Sequence, residues 1–236
     1  MRDKKVLIVD DDADFVRLTS LLFKREGAQI IIAPDGLEGI GKFISTSPDL
    51  ILLDLMLPGM NGLELCEKVQ EVSDTPIIMI TAFYDEKVML RGLEAGADDF
   101  LSKLLNPQIL LARAKAVLRR AERVKIQADS LTYQNGYLSM DVAKRDVLIL
   151  GNRVKLTPVE FRLLLYLVHH AGQVLTYHRI LAHIWGDEYR QCTEYVHVYI
   201  SHLRRKIEED PKHPRNILTV HGVGYVFEMD EMTSSS

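Results

Sequence analysis

Val6-Leu7-Ile8-Val9-Asp10-Asp11-Asp12 is an apolar run stopped by three consecutive acids. A run this short, with no polar alternation, reads as a β-strand buried on both faces, the pattern of a parallel sheet. The same reading extends outward to Ile30–Ala33, Leu50–Leu53, Ile77–Ile80 and Phe100–Leu101, with a helix-length stretch after each. In the first such stretch Phe15, Leu18, Leu21 and Leu22 recur at helical spacing and Gly27 supplies a stop; in the last, Asn106-Pro107 reads as a cap with proline at the first helical position. Strand alternating with helix five times over predicts right-handed crossovers and an α/β fold: a doubly wound, five-stranded parallel sheet covered on both faces.

In such sheets ligands gather outside the carboxyl ends of the strands. There the chain places Asp10 and Asp11 after the first strand, Asp54 after the third, Thr81 after the fourth and Lys103 after the fifth. Any one of these is ordinary, since an Asp after a strand commonly caps a turn and a Lys there is commonly solvated. Together they bring three carboxylates, a hydroxyl and an ammonium to one crevice. Carboxylates so placed repel unless a cation sits among them, and a hard divalent ion such as Mg²⁺ suits oxygen ligands. A carboxylate beside Mg²⁺ acts as a nucleophile on a phosphoryl group, with a lysine neutralising the transferred oxygens. The expected roles are Asp54 as phosphoryl acceptor, Asp10 and Asp11 as metal-site acids, and Lys103 as counter-charge.

The chain of 236 residues is long enough for two ordinary domains. Its net charge of −4 resides in residues 1–121, with 15 basic against 19 acidic residues; residues 122–236 balance at 14 of each and hold all eight histidines. Halves that differ in this way are expected to have different partners. Cys66 and Cys192 match no metal or redox spacing, which predicts reduced thiols and a cytoplasmic setting. The acids at Asp10–Asp12 cut the first apolar run too short for a signal peptide, and no apolar run approaches the ~18 residues of a membrane span.

In the second half Leu131–Tyr133, Tyr137–Met140, Val147–Leu150 and Val154–Leu156 read as short strands, with turn signals at Asn135-Gly136 and Gly151-Asn152. Three helices are expected next: one opened by Thr157-Pro158, one over Thr176–Trp185 and one over Thr193–Glu209, followed by a hairpin from Ile217 to Phe227. In the third helix Val196, Ile200, Leu203 and Ile207 form one apolar face. The opposite face carries Glu194, Val198, Ser201 and Arg205, flanked by Tyr195, His197, His202 and Arg204. Such a face suits a DNA major groove, where arginine pairs with guanine and valine touches a thymine methyl.

Val6–Asp12, Asp54-Leu55-Met56-Leu57-Pro58-Gly59-Met60-Asn61-Gly62, Ile80-Thr81-Ala82 and Gly96-Ala97-Asp98-Asp99-Phe100-Leu101-Ser102-Lys103 resemble receiver-domain motifs in their usual order, across residues 4–121. The resemblance implies a flavodoxin-like fold, a histidine kinase as phosphoryl donor, and a Mg²⁺ shell completed by the backbone carbonyl of Met56. It also implies a switch in which Thr81 turns toward the phosphate and Phe100 swings inward behind it, one of two nearly balanced packings being favoured. Two positions depart from the pattern. Leu104 follows Lys103 where proline in a cis bond is usual; a cis bond before another residue costs about 2.5 to 4 kcal/mol, so a trans bond with Lys103 displaced is expected. On the face that usually dimerises, Asp99 and Arg113 match one charged pair, whereas Met89 and Ile109 replace another and predict an apolar contact.

Leu156-Thr157-Pro158-Val159-Glu160-Phe161, Ile184-Trp185-Gly186, Tyr199-Ile200-Ser201-His202-Leu203-Arg204-Arg205-Lys206-Ile207 and Thr219-Val220-His221-Gly222-Val223-Gly224-Tyr225 resemble the OmpR/PhoB winged-helix domain over residues 129–229. Tyr195-Val196-His197-Val198-Tyr199 is closer to the KdpE-like subgroup, which answers potassium limitation. His221 stands where the wing usually carries arginine, implying a weaker DNA contact. The boundaries expected are a receiver at 1–121, a linker at 122–130, an α+β winged-helix domain at 131–230 and a tail at 231–236. The function expected is a transcriptional response regulator that dimerises when phosphorylated, binds promoter DNA and works with RNA polymerase. Two rivals compete with it: a constitutive dimer indifferent to phosphate, which Leu104 favours, and a haloacid-dehalogenase-like phosphatase using Asp10. Against the phosphatase, Asp14 stands where Thr or Val is usual.

Overall fold

Five strands, β1 (Lys5–Val9), β2 (Gln29–Ala33), β3 (Leu50–Asp54), β4 (Ile77–Thr81) and β5 (Asp99–Ser102), pair in parallel in the order β2-β1-β3-β4-β5. The computed structural model describes residues 1–82, 85–126, 132–134 and 136–228. The chain divides into two compact units, Met1–Arg119 and Arg120–Ser236. In the first, α1 (Ala13–Arg25), α2 (Gly36–Thr46), α3 (Gly62–Val72), α4 (Glu86–Glu94) and α5 (Pro107–Ile126) alternate with the strands. Strand order reverses between β1 and β3, which opens the crevice at their carboxyl ends. Asp54 and Thr81 are the last residues of β3 and β4 rather than the first residues beyond them.

Val6, Ile8, Leu50, Leu52, Ile78, Ile80 and Leu101 point to one side of the sheet and pack with Val16 and Phe23 of α1 and Leu110, Ala114 and Val117 of α5. Of the four apolar residues at helical spacing in α1, Phe15 and Leu22 pack against this core. Val16, Thr19, Ser20 and Phe23 are buried, whereas Leu18 is 57% and Leu21 55% exposed. Two small polar residues, Thr19 and Ser20, share the buried side of the helix with Val16 and Phe23. Asp12 caps α1, its carboxylate accepting from the N–H groups of Asp14 and Phe15. Helix α5 continues to Ile126, so part of the stretch read as a linker is helical.

The second unit begins with an antiparallel sheet of β6 (Thr132–Gln134), β7 (Leu138–Asp141), β8 (Asp146–Ile149) and β9 (Asn152–Arg153). Val154–Leu156 is not a strand: Val154 N–H makes a last bond to the Val147 carbonyl at 2.8 Å before the chain turns into the next helix. That helix, α6 (Pro158–His169), starts with a capping box between Thr157 and Glu160. β10 (Leu175–Thr176), α7 (Tyr177–Ile184), a 3₁₀ turn at Asp187–Tyr189 and α8 (Thr193–Ile207) lead to a hairpin of β11 (Ile217–Val220) and β12 (Gly224–Phe227). β10, unforeseen in the sequence, adds to the hairpin in the order β10-β12-β11; a Cβ on Gly224 would lie 1.9 Å from the Leu175 carbonyl oxygen, so only glycine permits that pairing. Leu131, Asn135 and the expected tail at 231–236 lie outside the described residues.

Candidate functional site

The ends of β1, β3 and β5 bring together side chains far apart in the sequence. Asp10 and Asp54 are buried and Asp11 is exposed, yet one carboxylate oxygen from each lies within 4.8 Å of the others. Lys103 Nζ donates to Asp10 Oδ1 and to Asp54 Oδ2, both at 2.7 Å. Asp54 Oδ1 accepts from the Met56 N–H at 3.1 Å, and Asp10 Oδ1 from the Asp12 N–H at 2.9 Å. Asp10 Oδ2 is buried and has no hydrogen-bond partner among the described residues. A carboxylate oxygen in that position, beside two further acids, fits a divalent cation, and Asp10, Asp11 and Asp54 are the candidate side-chain ligands.

Burial pushes the Asp10 carboxyl upward from its ordinary value, and the hydrogen bond from Lys103 offsets this only in part. For Lys103 burial works against the charge, but the hydrogen bonds to Asp10 and Asp54 outweigh it and the ammonium's pKa rises. The cluster is held by its cation. The displacement of Lys103 expected from Leu104 does not occur. No cis peptide is present among the described residues, and the Lys103 ammonium nonetheless reaches both acids. Lys103 N–H bonds to the Thr81 carbonyl at 2.8 Å, and Leu104 N–H to Ser102 Oγ at 3.2 Å, which aim the side chain inward while Leu104 itself is 86% exposed.

Thr81 is fully buried at the end of β4, and Phe100 is buried on β5. The Met56 side chain is largely exposed, its N–H turned to Asp54. Gly62, part of the motif that follows Asp54, has a role its sequence context does not show: a Cβ there would lie 2.2 Å from the Asp54 carbonyl oxygen. It lets α3 start directly against the strand that carries Asp54. On the expected dimer face Asp99 is buried with its carboxylate accepting from the Phe100 N–H, Arg113 is half-buried, and Ile109 is 40% exposed. Met89 is a correction: it is 5% exposed, on the buried stripe of α4 with Gly92 and Leu93, and offers no open partner for Ile109.

Along α8, Val196, Ile200, Leu203 and Ile207 are buried as the periodicity predicts. His197, Ser201 and Arg205 are exposed and Glu194 and Val198 half-exposed, forming one continuous face. Three flanking residues are not free to read bases, the first being Tyr195, buried against Trp185 and Tyr189. His202 is buried with Nδ1 3.8 Å from Glu160 Oε1, because residue 202 lies beside Leu203 on the packed side. Arg204 donates to the Ile217 carbonyl (2.6 Å from Nη2) and to Thr219 Oγ1 (2.8 Å), which ties α8 to β11. His197 Nδ1 lies 2.8 Å from the Tyr225 hydroxyl, a second tie to β12. His221 is exposed in the turn between β11 and β12.

Residues 6–115 match the response regulator receiver domain family, and residues 151–227 match the C-terminal domain of transcriptional regulatory proteins. The alkaline phosphatase synthesis transcriptional regulatory protein PhoP of Bacillus subtilis is 40% identical over 240 residues, covering 98% of this chain and 99% of that protein. The DNA-binding response regulator MtrA of Mycolicibacterium smegmatis is 38% identical over 222 residues, covering 94% and 96%. Among solved structures, a RitR mutant superposes with a TM-score of 0.78 at 27% identity, over 95% of this chain and 98% of that one. No helix among the described residues is long and apolar enough to cross a membrane.

Proposed function

The chain belongs to the response regulators that join a receiver domain to an OmpR/PhoB-type DNA-binding domain, and from that premise we propose that transfer of a phosphoryl group from a histidine kinase to Asp54 controls its action at promoters. The observation that carries this reading is the Lys103 ammonium bridging Asp10 and Asp54 at 2.7 Å. An Asp54 carboxylate oxygen attacks phosphorus, the P–N bond of the donor phosphohistidine breaks, and the imidazole leaves with the electron pair while an acyl phosphate forms. Lys103, given up by Asp54, pairs with the transferred oxygens. A Mg²⁺ held by Asp10, Asp11, Asp54 and the Met56 carbonyl would neutralise charge on the phosphoryl oxygens. Leu18 and Leu21 on α1 and Leu104 after β5 are exposed apolar residues near this crevice, which supports docking of the donor protein there.

Thr81 and Phe100 then convey occupancy to the dimer face, where Asp99, Arg113 and Ile109 remain the candidate contacts. Two DNA-binding domains on neighbouring half-sites gain affinity through effective concentration. The base-reading set is Glu194, His197, Val198, Ser201 and Arg205, with His221 at the wing; RNA polymerase is the downstream partner and the cytoplasm the setting. Tyr195–Tyr199 supports placement near the KdpE-like subgroup.

Incubation with acetyl phosphate and Mg²⁺, followed by intact-mass measurement, tests the reading. Wild type should gain one phosphoryl group and Asp54→Ala none. Equal labelling of the two, or none of wild type, would overturn phosphoryl control.

A further inference from the structure

Phe100 lies on the face of β5 that α4 covers, and its ring packs against a helix residue that has no side chain. A Cβ built on Gly92 would lie 2.7 Å from Phe100 Cδ2, 3.0 Å from Cε2 and 2.9 Å from Met79 Sδ. Met79 is the cross-strand neighbour of Phe100 in the β4–β5 register, so the ring, the thioether and the bare Cα of Gly92 meet at one point. The two sulfur- and ring-bearing side chains are buried, Met79 at 0% and Phe100 at 2% exposed. Glycine in mid-helix costs roughly 1 kcal/mol relative to alanine, and Gly92 has an ordinary negative φ, so the backbone conformation does not require it. What requires it is the volume of the ring.

We propose that Gly92 is a positioning residue: it creates the seat that Phe100 occupies beneath α4, and thereby sets how readily the aromatic moves when Asp54 is phosphorylated. This rests on the proposed role of Phe100 as a switch. With alanine at 92 the ring and the methyl compete for one space. The ring leaves its seat, and occupancy of Asp54 no longer selects between two ring positions.

The test uses the full chain carrying 4-fluorophenylalanine, with the Phe100 resonance assigned through Phe100→Leu. In wild type the ¹⁹F signal should sit at a buried shift and change when acetyl phosphate and Mg²⁺ are added. In Gly92→Ala it should move toward the solvent-exposed shift and lose its response, while intact mass shows Asp54 still accepting phosphate. A Phe100 signal in Gly92→Ala that coincides with wild type in both conditions overturns the proposal. If wild type takes up no phosphoryl group, the phosphoryl-control reading fails, and the ring displacement in Gly92→Ala still decides the seat. Should Gly92→Ala fail to fold, Gly92→Ala in the Phe100→Leu background decides: recovery of folding assigns the conflict to the ring, and failure in both backgrounds overturns the proposal.

Discussion

Lys103 Nζ stands 2.7 Å from Asp54 Oδ2 across 49 positions of sequence, with 10% and 5% of the two side chains exposed. The same ammonium holds Asp10, so a single cation offsets the repulsion of two buried carboxylates. Lys103→Met leaves those acids facing each other. It should lower the stability of the metal-free protein by about 3 kcal/mol, since a buried charge loses its partner. Urea denaturation in chelator and in Mg²⁺ checks this: the cation should restore more stability to Lys103→Met than it adds to wild type.

Arg204 and Arg205 are adjacent and should behave differently. Arg205 is exposed on the reading face, so Arg205→Ala should weaken DNA binding and reduce the salt slope of log K by about 1 if it contacts phosphate, leaving the fold intact. Arg204 is committed to Ile217 and Thr219, so Arg204→Ala should also lower the melting temperature as β11 loosens from α8. Filter binding at several salt concentrations and calorimetry separate the two; equal melting temperatures for both variants would refute the assignment.

Glu26, after the end of α1, accepts from Lys115 of α5 at 2.7 Å, and that hydrogen bond holds its carboxyl below the ordinary glutamate value. The folded state therefore releases this proton at lower pH than the unfolded chain. The pair's contribution is present above the ordinary glutamate pKa and fades as pH falls through the depressed folded value. In Lys115→Met the NMR titration of Glu26 should return to the ordinary range, and raised salt should move wild type the same way.

Burial, with Asp98 and Glu67 nearby, pushes the Cys66 thiol far upward, and its Sγ lies 3.4 Å from the Ala95 carbonyl. Cys192 is half-exposed. Iodoacetamide at pH 8 should therefore modify Cys192 in the native protein and Cys66 only after denaturation, as peptide mass mapping will show.

Gln70 on α3 is 7% exposed, and among the described residues neither its amide nitrogen nor its oxygen has a hydrogen-bond partner. Gln70→Met keeps the shape and removes two desolvated polar atoms. It should raise unfolding free energy by about 1 kcal/mol in urea melts, and an unchanged or lower midpoint counts against the burial cost.

The parallel sheet was legible because Val6–Val9, Leu50–Leu53 and Ile77–Ile80 are continuous apolar runs, which only burial on both faces rewards. The helix starts at Asn106 and Thr157 were legible for a similar reason, since their side chains accept from N–H groups two and three residues away. The exposure of Leu18 and Leu21 was not legible, because helical spacing gives a period and not a phase. Tertiary packing alone put Val16, Thr19, Ser20 and Phe23 on the buried side.

The identities of Asp10, Asp11, Asp54 and Lys103, and their places at strand ends, followed from the chain alone, because strand order and crossover handedness leave those ends on one side of the sheet. Only the tertiary structure decided that Lys103 reaches both acids despite Leu104, that Met89 is inside, and that His202 and Arg204 face their own domain. Each of those outcomes turns on side-chain direction and on neighbours distant in sequence, such as Glu160 for His202 and Ile217 for Arg204, and local composition carries no record of either.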